Sequence, residues 1–292
     1  MDERAALSLV GKSVPGAGDD CAMVGDLAVT TDMLHERSDF PDGTTRYTAG
    51  WRAVGASLSD VAAMGADATA ALAVYGAPAF ETDELDAFLS GCLDVCAAVD
   101  AEYVGGDLDS HDEFTVSTTA LGRTDDPVYR SGATPGDAVC VTGTLGRSGA
   151  ALRHFENGET DRGNDLFRFE PRVVAGHALA PYASAMMDSS DGLARSLHQL
   201  AESSDCGFAV SYADVPIDPA VRAVTDSREE EREMAVHFGE DFELVWTVPE
   251  NNLDDAVDAS PVELARIGTV TEEGVRMDGN ALPDRGFTHG SE

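Results

Sequence analysis

The stretch Leu58-Ser59-Asp60-Val61-Ala62-Ala63-Met64-Gly65-Ala66 determines how the first half of this chain is interpreted. It closes a longer segment, Tyr47 to Met64, in which apolar residues recur at helical spacing. These apolar residues are Trp51, Val54, Leu58 and Val61. Gly65 follows directly, and glycine is typical just after the end of a helix. The sequence therefore predicts a helix that carries one carboxylate, Asp60, in its last turns.

Asp60 belongs to a series of short acidic segments, most of which stand where a predicted strand or helix meets Gly, Ser or Thr. The series consists of Gly18-Asp19-Asp20, Thr30-Thr31-Asp32, Leu58-Ser59-Asp60, Gly105-Gly106-Asp107, Asp188-Ser189-Ser190-Asp191 and Gly239-Glu240-Asp241. Carboxylates that converge on one cleft repel each other unless divalent cations lie between them. Hard oxygen ligands select Mg²⁺ or Ca²⁺, and Mg²⁺ is usually shared with substrate phosphates. The series predicts Mg²⁺-dependent nucleotide chemistry.

The composition supplies the competing interpretation, because the whole chain is acidic. It has 54 acidic and 19 basic residues, a formal charge of −35, and Lys12 as its only lysine. This charge excludes non-specific binding to nucleic acid or to an anionic membrane. A hydrophobic content of 43% argues against disorder. Acid-rich, lysine-poor composition with a core indicates a halophilic protein, in which most Asp residues are solvated surface groups.

Length and cysteine content bound the organisation. A chain of 292 residues is long enough for two domains, and the segment from Asp125 to Asp137, rich in Pro, Gly and Asp, is the predicted boundary. No signal peptide and no membrane-spanning segment are expected. The five cysteines are an odd number, which favours reduced thiols and a cytoplasmic location. Cys92 and Cys96, one helical turn apart among apolar residues, are interpreted as core packing.

The remaining elements are mixed α and β rather than strictly alternating, which favours two α+β or α/β layers. Strands are predicted from Leu27 to Thr31 and from Ala138 to Thr142. Thr82 is expected to cap a helix that runs to about Val99. A short strand at Tyr103-Val104 is expected to end at Gly105-Gly106-Asp107. The polar segment from Asn157 to Asn164 is predicted as a loop.

Two of the acidic segments carry the strongest local signal. In Gly105-Gly106-Asp107 the glycines let a backbone approach a ligand closely. Asp188-Ser189-Ser190-Asp191-Gly192 joins an apolar strand to a predicted helix, so Ser190 and Asp191 are expected at a helix N-terminus, where phosphate binds readily. Gly11-Lys12-Ser13 is not a P-loop, because Ala6 occupies the position of the required first glycine.

Eight motifs in order resemble those of the thiamine-monophosphate kinases, which belong to the superfamily of aminoimidazole ribonucleotide synthetase-like ATP-binding enzymes. The motifs are Gly18-Asp19-Asp20-Cys21-Ala22, Thr30-Thr31-Asp32, Leu58 to Ala66, Gly105-Gly106-Asp107, Arg130 to Asp137, Val141 to Gly146, Asp188 to Leu193 and Gly239 to Leu244. The resemblance covers the chain from about Leu7 to Phe287, and with the composition it suggests a halophilic archaeon as the source.

The resemblance implies a two-domain fold and an activity. Residues 1–128 would form an ATP- and Mg-binding domain whose sheet pairs with a second copy into a barrel-like homodimer. Residues 129–292 would form a C-terminal α/β layer that completes the active-site cleft. The implied reaction is phosphorylation of thiamine monophosphate to thiamine diphosphate by ATP, by direct in-line transfer with several Mg²⁺ ions.

The resemblance also implies residue roles. The implied Mg²⁺ ligands are Asp20, Thr30, Thr31, Asp32, Asp60, Asp107, Asp188 and Asp191. The implied ATP contacts are Gly106, Asp107, Arg130 and Ser190, and the implied acceptor contacts are Asp39, Glu240 and Phe287. The chain departs from the family at two positions: Asp39 replaces a His of many bacterial members, and Val99 replaces a frequent Tyr.

The chemistry itself needs no catalytic base. The acceptor is a phosphate whose oxygen is already anionic, so positioning and charge neutralisation can carry the reaction, and no residue is assigned as a general base. Arg130 suits phosphate because arginine offers a bidentate fork.

Two classes of alternative remain open. One is a sibling enzyme: a selenophosphate synthetase, an aminoimidazole ribonucleotide synthetase or a hydrogenase-maturation dehydratase. The selenophosphate synthetase needs a reactive Cys in an N-terminal glycine-rich loop, whereas Cys21 lies inside the Asp-Asp motif. The dehydratase needs a C-terminal Cys, whereas this chain ends Gly290-Ser291-Glu292. The other class is a non-enzymatic, acidic cation-binding protein.

Overall fold

The computed structural model describes residues 9–11, 13–14 and 16–286, and within them the strands form two sheets. The N-terminal sheet has the order β1-β2-β5-β3-β4, and only the pair β3 and β4 is parallel. Its strands are β1 (Ala22–Val24), β2 (Leu27–His35), β3 (Asp67–Ala77), β4 (Glu102–Ser110) and β5 (Thr115–Arg123).

The second sheet has the order β12-β11-β8-β10-β6-β9-β7, in which β11 and β8 are parallel and the other neighbours antiparallel. Its strands are β6 (Ala138–Thr142), β7 (Ala185–Asp188), β8 (Gly207–Val210), β9 (Leu244–Val248), β10 (Leu264–Thr271), β11 (Val275–Met277) and β12 (Asn280–Ala281). The connection between the sheets runs from residue 124 to 137. The predicted domain boundary at 128 and 129 falls there and stays a prediction.

Helices cover both sheets. They are α1 (Glu36–Asp39), α2 (Arg46–Ala63), α3 (Thr82–Ala98), α4 (Arg147–Glu156), α5 (Thr160–Phe167), α6 (Val173–Leu179), α7 (Leu193–Ser204), α8 (Pro219–Val224), α9 (Arg228–Glu233) and α10 (Leu253–Ala259). Single turns of 3₁₀-helix lie at Tyr212–Asp214 and Glu250–Asn252, and a π-helix occupies Met234–Phe238. Among the described residues, no helix is both long and apolar enough to cross a membrane.

Helix α2 is the central element of the molecule. The side chain of Thr45 accepts a hydrogen bond from the Thr48 amide and so caps its first turn. The helix packs on β2, β3 and β5 of the N-terminal sheet and also reaches β7 of the second sheet. Its residue Leu58 belongs to one buried cluster with Phe114 of the first half and Trp246 of the second. One continuous core therefore fixes α2 against both sheets.

The structure corrects several local predictions. The segment predicted as a loop, Asn157 to Asn164, contains the start of α5, because Asn164 is buried and bonds residues far away in sequence. Thr82 is the first residue of α3 rather than its cap, and the residue at the cap position, Glu81, makes no side-chain cap hydrogen bond. Strand β4 does not stop at Val104 but continues through Gly105-Gly106-Asp107.

Gly106 explains why that strand can continue. It has φ +155°, and a Cβ at this position would lie 1.7 Å from the carbonyl oxygen of Ala73 on β3. The absence of a side chain at Gly106 therefore lets β4 lie close to β3. Cys92 and Cys96 are buried in the core, as predicted.

Candidate active site

Three carboxylates from distant parts of the chain meet where the two sheets adjoin. Asp20 precedes β1, Asp60 lies in the last turn of α2, and Asp188 ends β7. Each offers an oxygen, and these oxygens lie within 4.8 Å of one another. Asp20 and Asp188 are buried, and Asp60 is partly buried. The predicted convergence of these carboxylates is thus present in the structure.

The electrostatics of this cluster are unfavourable for three negative charges. Burial raises the pKa of Asp188 to about 7, and the charge of Asp20 contributes to the rise. Burial, together with neighbouring carboxylates, raises the pKa of Asp60 well above its usual range. Groups in this condition hold protons or bind cations near neutral pH.

The donor set fits a hard divalent cation. Its atoms are carboxylate oxygens from separate elements at short mutual distance, which is the ligand type that Mg²⁺ prefers. In addition, Oδ2 of Asp188 is buried without a hydrogen-bond partner of normal geometry among the described residues, and the nearby Ser59 hydroxyl offsets only part of the effect of burial on the pKa of Asp188. Such buried acceptors require a partner.

Cys21 lies beside the cluster but is unsuited to nucleophilic chemistry. It is buried with a free thiol. Burial raises its pKa, and the charge of Asp60 is the next largest cause. The thiolate, which is the reactive form, is therefore disfavoured. The reactive cysteine that a selenophosphate synthetase requires is not available at this position.

Two hydroxyl groups orient the carboxylates on the α2 side. Thr30 Oγ1 donates to Asp60 Oδ2 at 2.5 Å. Ser57 Oγ donates to Asp32 Oδ2 at 2.6 Å and also lies 2.7 Å from the hydroxyl of Thr118. Burial raises the pKa of Asp32. Asp32 is thus held next to the cluster by α2.

Arg130 is the cation of the site. Its Nε and Nη2 donate to the two oxygens of Asp20 at 3.1 and 2.8 Å, and its backbone amide donates to Asp19. This bidentate pair fixes Asp20 and leaves Arg130 only 20% exposed. In this structure Arg130 binds a carboxylate of the cluster, and its expected contact with a phosphate stays a prediction.

In the second half of the chain, the loop after β7 and the loop before β9 are joined by a hydrogen bond. The amide of Glu240 donates to the carbonyl oxygen of Ser190 at 2.6 Å. The amide of Ser190 in turn donates to Asp188 Oδ1 at 3.3 Å. Ser190 and Asp191 lie just before Gly192, the N-cap of α7, whose first residue is Leu193. The expected position at a helix N-terminus is therefore observed.

Three predicted residues lie apart from the cluster. Asp32, Thr118, Ala73 and Gly106 form one row across the sheet, so Gly106 is three strand spacings, about 14 Å, from Asp32. Asp107 follows it on the edge strand and is exposed. Thr31 projects to the opposite face from Asp32, and its hydroxyl donates to the backbone of Thr118.

The residues expected at the acceptor end are partly described. Asp39 accepts hydrogen bonds from the His35 amide and the Ser38 hydroxyl, and its charge acts on Arg52. Glu240 pairs with Arg52 at 2.6 Å. Glu240 therefore contacts Arg52 directly, whereas Asp39 acts on it only through its charge. Phe287 lies outside the described residues.

Sequence reasoning missed Ser57 and Arg52, which hold Asp32 and Glu240 respectively. The available signal was their place on α2. Both are polar residues that are completely buried on a helix whose buried face is mostly apolar, with Thr48 and Ser59 as the other polar residues there. A polar residue within such a face indicates a specific partner.

Comparison with known proteins gives consistent results. Residues 18–124 match the family described as AIR synthase related protein, N-terminal domain, and residues 134–278 match its C-terminal domain. The chain is 62% identical over 291 residues to a thiamine-monophosphate kinase of Halobacterium salinarum, covering 99% of this chain and 100% of that protein. It is 38% identical to a thiamine-monophosphate kinase of Methanospirillum hungatei, with 99% of each covered.

A solved structure described as AaThiL complexed with AMPPCP and TMP has a TM-score of 0.89 to this one. It is 28% identical and matches 99% of this chain and 97% of that one. The predicted α/β fold of the aminoimidazole ribonucleotide synthetase type is confirmed by these matches. The similarity to a protein of Halobacterium agrees with the halophilic composition. The chain belongs to the thiamine-monophosphate kinase family.

Proposed function

We propose that this protein transfers the γ-phosphoryl group of ATP to the phosphate of thiamine monophosphate, giving thiamine diphosphate and ADP. The observation that carries the proposal is the buried cluster of Asp20, Asp60 and Asp188, which suits Mg²⁺ shared with phosphates. Relatives that share 62% and 38% of their residues with it are thiamine-monophosphate kinases. A related structure carries AMPPCP and TMP together.

We assign the metal ligands by position. Asp20, Asp60 and Asp188 would bind Mg²⁺ directly, and Asp32 and Asp191 are further ligands from adjoining segments. Thr30 orients Asp60, and Thr31 stays a proposed ligand although its side chain lies on the far side of β2. Bound Mg²⁺ supplies charge neutralisation on the transferring phosphoryl group.

The chain's own residues bind and position rather than exchange protons. The acceptor phosphate has a second pKa of about 6, so its oxygen is anionic at neutral pH and attacks the γ-phosphorus without a base. Arg130, fixed by Asp20, is the proposed cation beside the phosphates. Ser190 at the start of α7 is the proposed hydroxyl contact to ATP.

We assign the adenine to an apolar pocket beside Gly106 and Asp107. This pocket, with a volume of about 370 Å³, lies between β3, β4 and α3. Leu85, Leu89 and Tyr103 line it. Tyr103 offers an aromatic face there, in a chain where Val99 replaces the frequent tyrosine of the family.

We propose that the active form is a homodimer with sites built from two copies. Met33, Val74 and Val104 are 57%, 39% and 56% exposed on the face of the N-terminal sheet opposite α2. A second copy that covers this face would bury an apolar surface. It would also explain why Asp107 lies on an edge strand that is three strand spacings, about 14 Å, from the strand of Asp32, because Asp107 of the second copy would complete the site. We also propose that the boundary between the two domains lies between residues 128 and 129. A cytoplasmic location is proposed as well, because it suits the five free cysteines.

The activity is tested with a coupled assay for ADP in molar KCl with ATP, MgCl₂ and either thiamine monophosphate or thiamine. We expect turnover of the monophosphate and at most a trace with thiamine, whose neutral hydroxyl needs a base that the site lacks. Equal turnover of the two acceptors would disprove the proposed chemistry.

Mixed dimers test the shared site. Asp60→Asn and Asp107→Asn are expected to be inactive separately. After subunit exchange, about half of the dimers contain one of each variant and hold one intact site, so about a quarter of wild-type activity should return. No recovery, with exchange verified by mass spectrometry, would mean that Asp60 and Asp107 act within one chain.

A further inference from the structure

Arg52 is a completely buried arginine at the junction of the two halves. Its Nη2 donates to the backbone oxygen of Glu240 at 2.9 Å and to Glu240 Oε2 at 2.6 Å. Its Nη1 donates to the backbone oxygen of Phe167 at 2.6 Å, and the guanidinium lies 3.6 Å from the centre of the Phe167 ring. A buried charge is retained only with such partners. Arg52 therefore has a specific task in this structure.

The loop that Arg52 holds has an unusual backbone. Glu240 has φ +62° and Phe242 has φ +55°, both in the left-handed region that favours glycine. The ring of Phe242 stacks on Phe169 at 4.3 Å, within contact distance of α2. Ser148 Oγ also donates to the backbone oxygen of Glu240, at 2.6 Å. Several contacts therefore keep this loop in one strained conformation, and Arg52 is the one that bonds the Glu240 side chain itself.

The pairing leaves Glu240 able to bind a ligand. Arg52 binds Oε2, and the Glu240 side chain is still 22% exposed, whereas the Arg52 side chain is fully buried. The charge of Glu240 also acts on Asp32. One oxygen of Glu240 is thus fixed by Arg52, while the side chain keeps an exposed fraction and lies near enough to Asp32 for its charge to act there.

Helix α2 connects this contact to the acidic cluster. Arg52 stands eight residues before Asp60 on the same helix, a rise of about 12 Å. Ser57, between them, holds Asp32. A single rigid helix therefore sets the spacing between the phosphate region and Glu240.

We propose that Arg52 is a positioning residue that directs the Glu240 carboxylate at the nitrogen-rich heteroaromatic end of the acceptor, at a fixed distance from the phosphate site. This proposal rests on the proposed function and on the acceptor contact that the family resemblance implies for Glu240. When one oxygen of a carboxylate is fixed, the second oxygen can still accept a hydrogen bond from an amino group on the ring of the acceptor. Arg52 therefore contributes to the choice of acceptor and not to the handling of ATP.

The test separates the KM values of the two substrates. Arg52→Met is expected to raise the KM for thiamine monophosphate about tenfold or more and to change the KM for ATP by less than about twofold. Arg52→Lys, which keeps a donor but not the fork to Phe167, should raise the first KM about threefold. It keeps a cation beside the Glu240 side chain, so it is expected to fold with a lower melting temperature than the wild type, and it decides the question even if Arg52→Met does not fold. An unchanged acceptor KM in Arg52→Lys, or equal increases for both substrates, would overturn the proposal.

A double-mutant comparison adds a readout that a purely structural role would not move. Glu240→Gln should raise the acceptor KM by itself, and adding Arg52→Lys or Arg52→Met to it should change that KM by less than about twofold. Additive increases would show that Arg52 acts independently of Glu240 and would also overturn the proposal. Absence of thiamine-monophosphate kinase activity in the wild type would refute the proposed function itself, which is a different outcome.

Arg172→Met is the matched control. Arg172 donates from Nε and Nη2 to the two carboxylate oxygens of Glu243, at 2.7 and 2.6 Å. Glu243 lies three residues after Glu240 in the sequence. Removing this pair should lower the melting temperature, because it strands a buried carboxylate. The acceptor KM should remain within about twofold of wild type. A tenfold increase in this control would mean that any lost ion pair near this loop gives the same effect.

Discussion

Replacing Asp188 with asparagine is expected to stabilise the metal-free protein while abolishing activity. Asp188 is completely buried and lies beside Asp20 and Asp60. Asparagine has a similar shape and removes one charge, and its amide can donate to the neighbouring carboxylates. The substitution therefore relieves repulsion in the absence of a cation and removes a ligand in its presence.

The magnitude follows from the pKa of this carboxyl group. Burial raises it from an ordinary 3.8 to about 7, with a further contribution from Asp20. At about 1.4 kcal/mol per pH unit, ionised Asp188 costs the fold about 4 kcal/mol. Below about pH 4 the group is protonated in both folded and unfolded chains, and the cost vanishes. Between about pH 4 and pH 7 the unfolded chain has lost this proton while the folded chain still holds it, so the free energy of unfolding falls as the pH rises. Above pH 7 both states are ionised, and the full cost of about 4 kcal/mol remains.

Urea unfolding of wild type and Asp188→Asn in molar KCl with EDTA at pH 5, 6, 7 and 8 measures this cost directly. The difference in unfolding free energy should favour the variant and grow with pH to a few kcal/mol. Saturating MgCl₂ should cancel most of this difference, because Mg²⁺ at 1,000 times its Kd stabilises the wild type by about 4.1 kcal/mol and the variant by much less. A difference that does not depend on pH, or a variant less stable than wild type at pH 8 in EDTA, would refute the reasoning.

Three shorter predictions concern the cluster, the charge and the close strand contact. Asp60→Asn should abolish turnover and leave the circular dichroism spectrum unchanged. The control Asp254→Asn, on an exposed helix turn, should match the wild type. Near-normal turnover of Asp60→Asn would show that Asp60 is not part of the site. The melting temperature should rise with KCl concentration, and the folded state should lose compactness below about 0.5 M KCl, because salt screens the charge of −35. A melting temperature that does not change with KCl would rule out the halophilic interpretation. Gly106→Ala should lower the melting temperature by several degrees, since the added Cβ would meet the Ala73 carbonyl at 1.7 Å; an unchanged value would show that β4 shifts freely.

The elements that sequence predicted well are those whose own residues specify them. Helix α2 was predicted within one residue at each end, because its apolar periodicity and its following glycine are local. The strand Ala138–Thr142 was predicted at both ends for the same reason. Asp20, Asp60 and Asp188 were placed together from their Gly, Ser and Thr context and the resemblance that the motifs carry.

The misses arise where distant residues decide the local structure. Asn164 marks a loop by composition, yet its side chain bonds the Thr45 amide and the Gly43 carbonyl about 120 residues away and lies within a helix. Strand β4 continues past Gly105 because β3 provides a pairing partner. The roles of Arg52 and Ser57 could not be assigned because their partners come from other segments.

Burial is what distinguishes the site carboxylates from the many others in this acidic chain. An exposed carboxylate in concentrated salt is hydrated and screened, so it has little reason to hold a cation. Asp188, by contrast, is buried beside Asp20 and Asp60 and keeps its proton to about pH 7. A divalent cation that displaces this proton recovers the electrostatic cost of the cluster as binding free energy. The same burial that destabilises the metal-free cluster would therefore favour Mg²⁺ at these three proposed ligands over the other carboxylates among the 54 acidic residues.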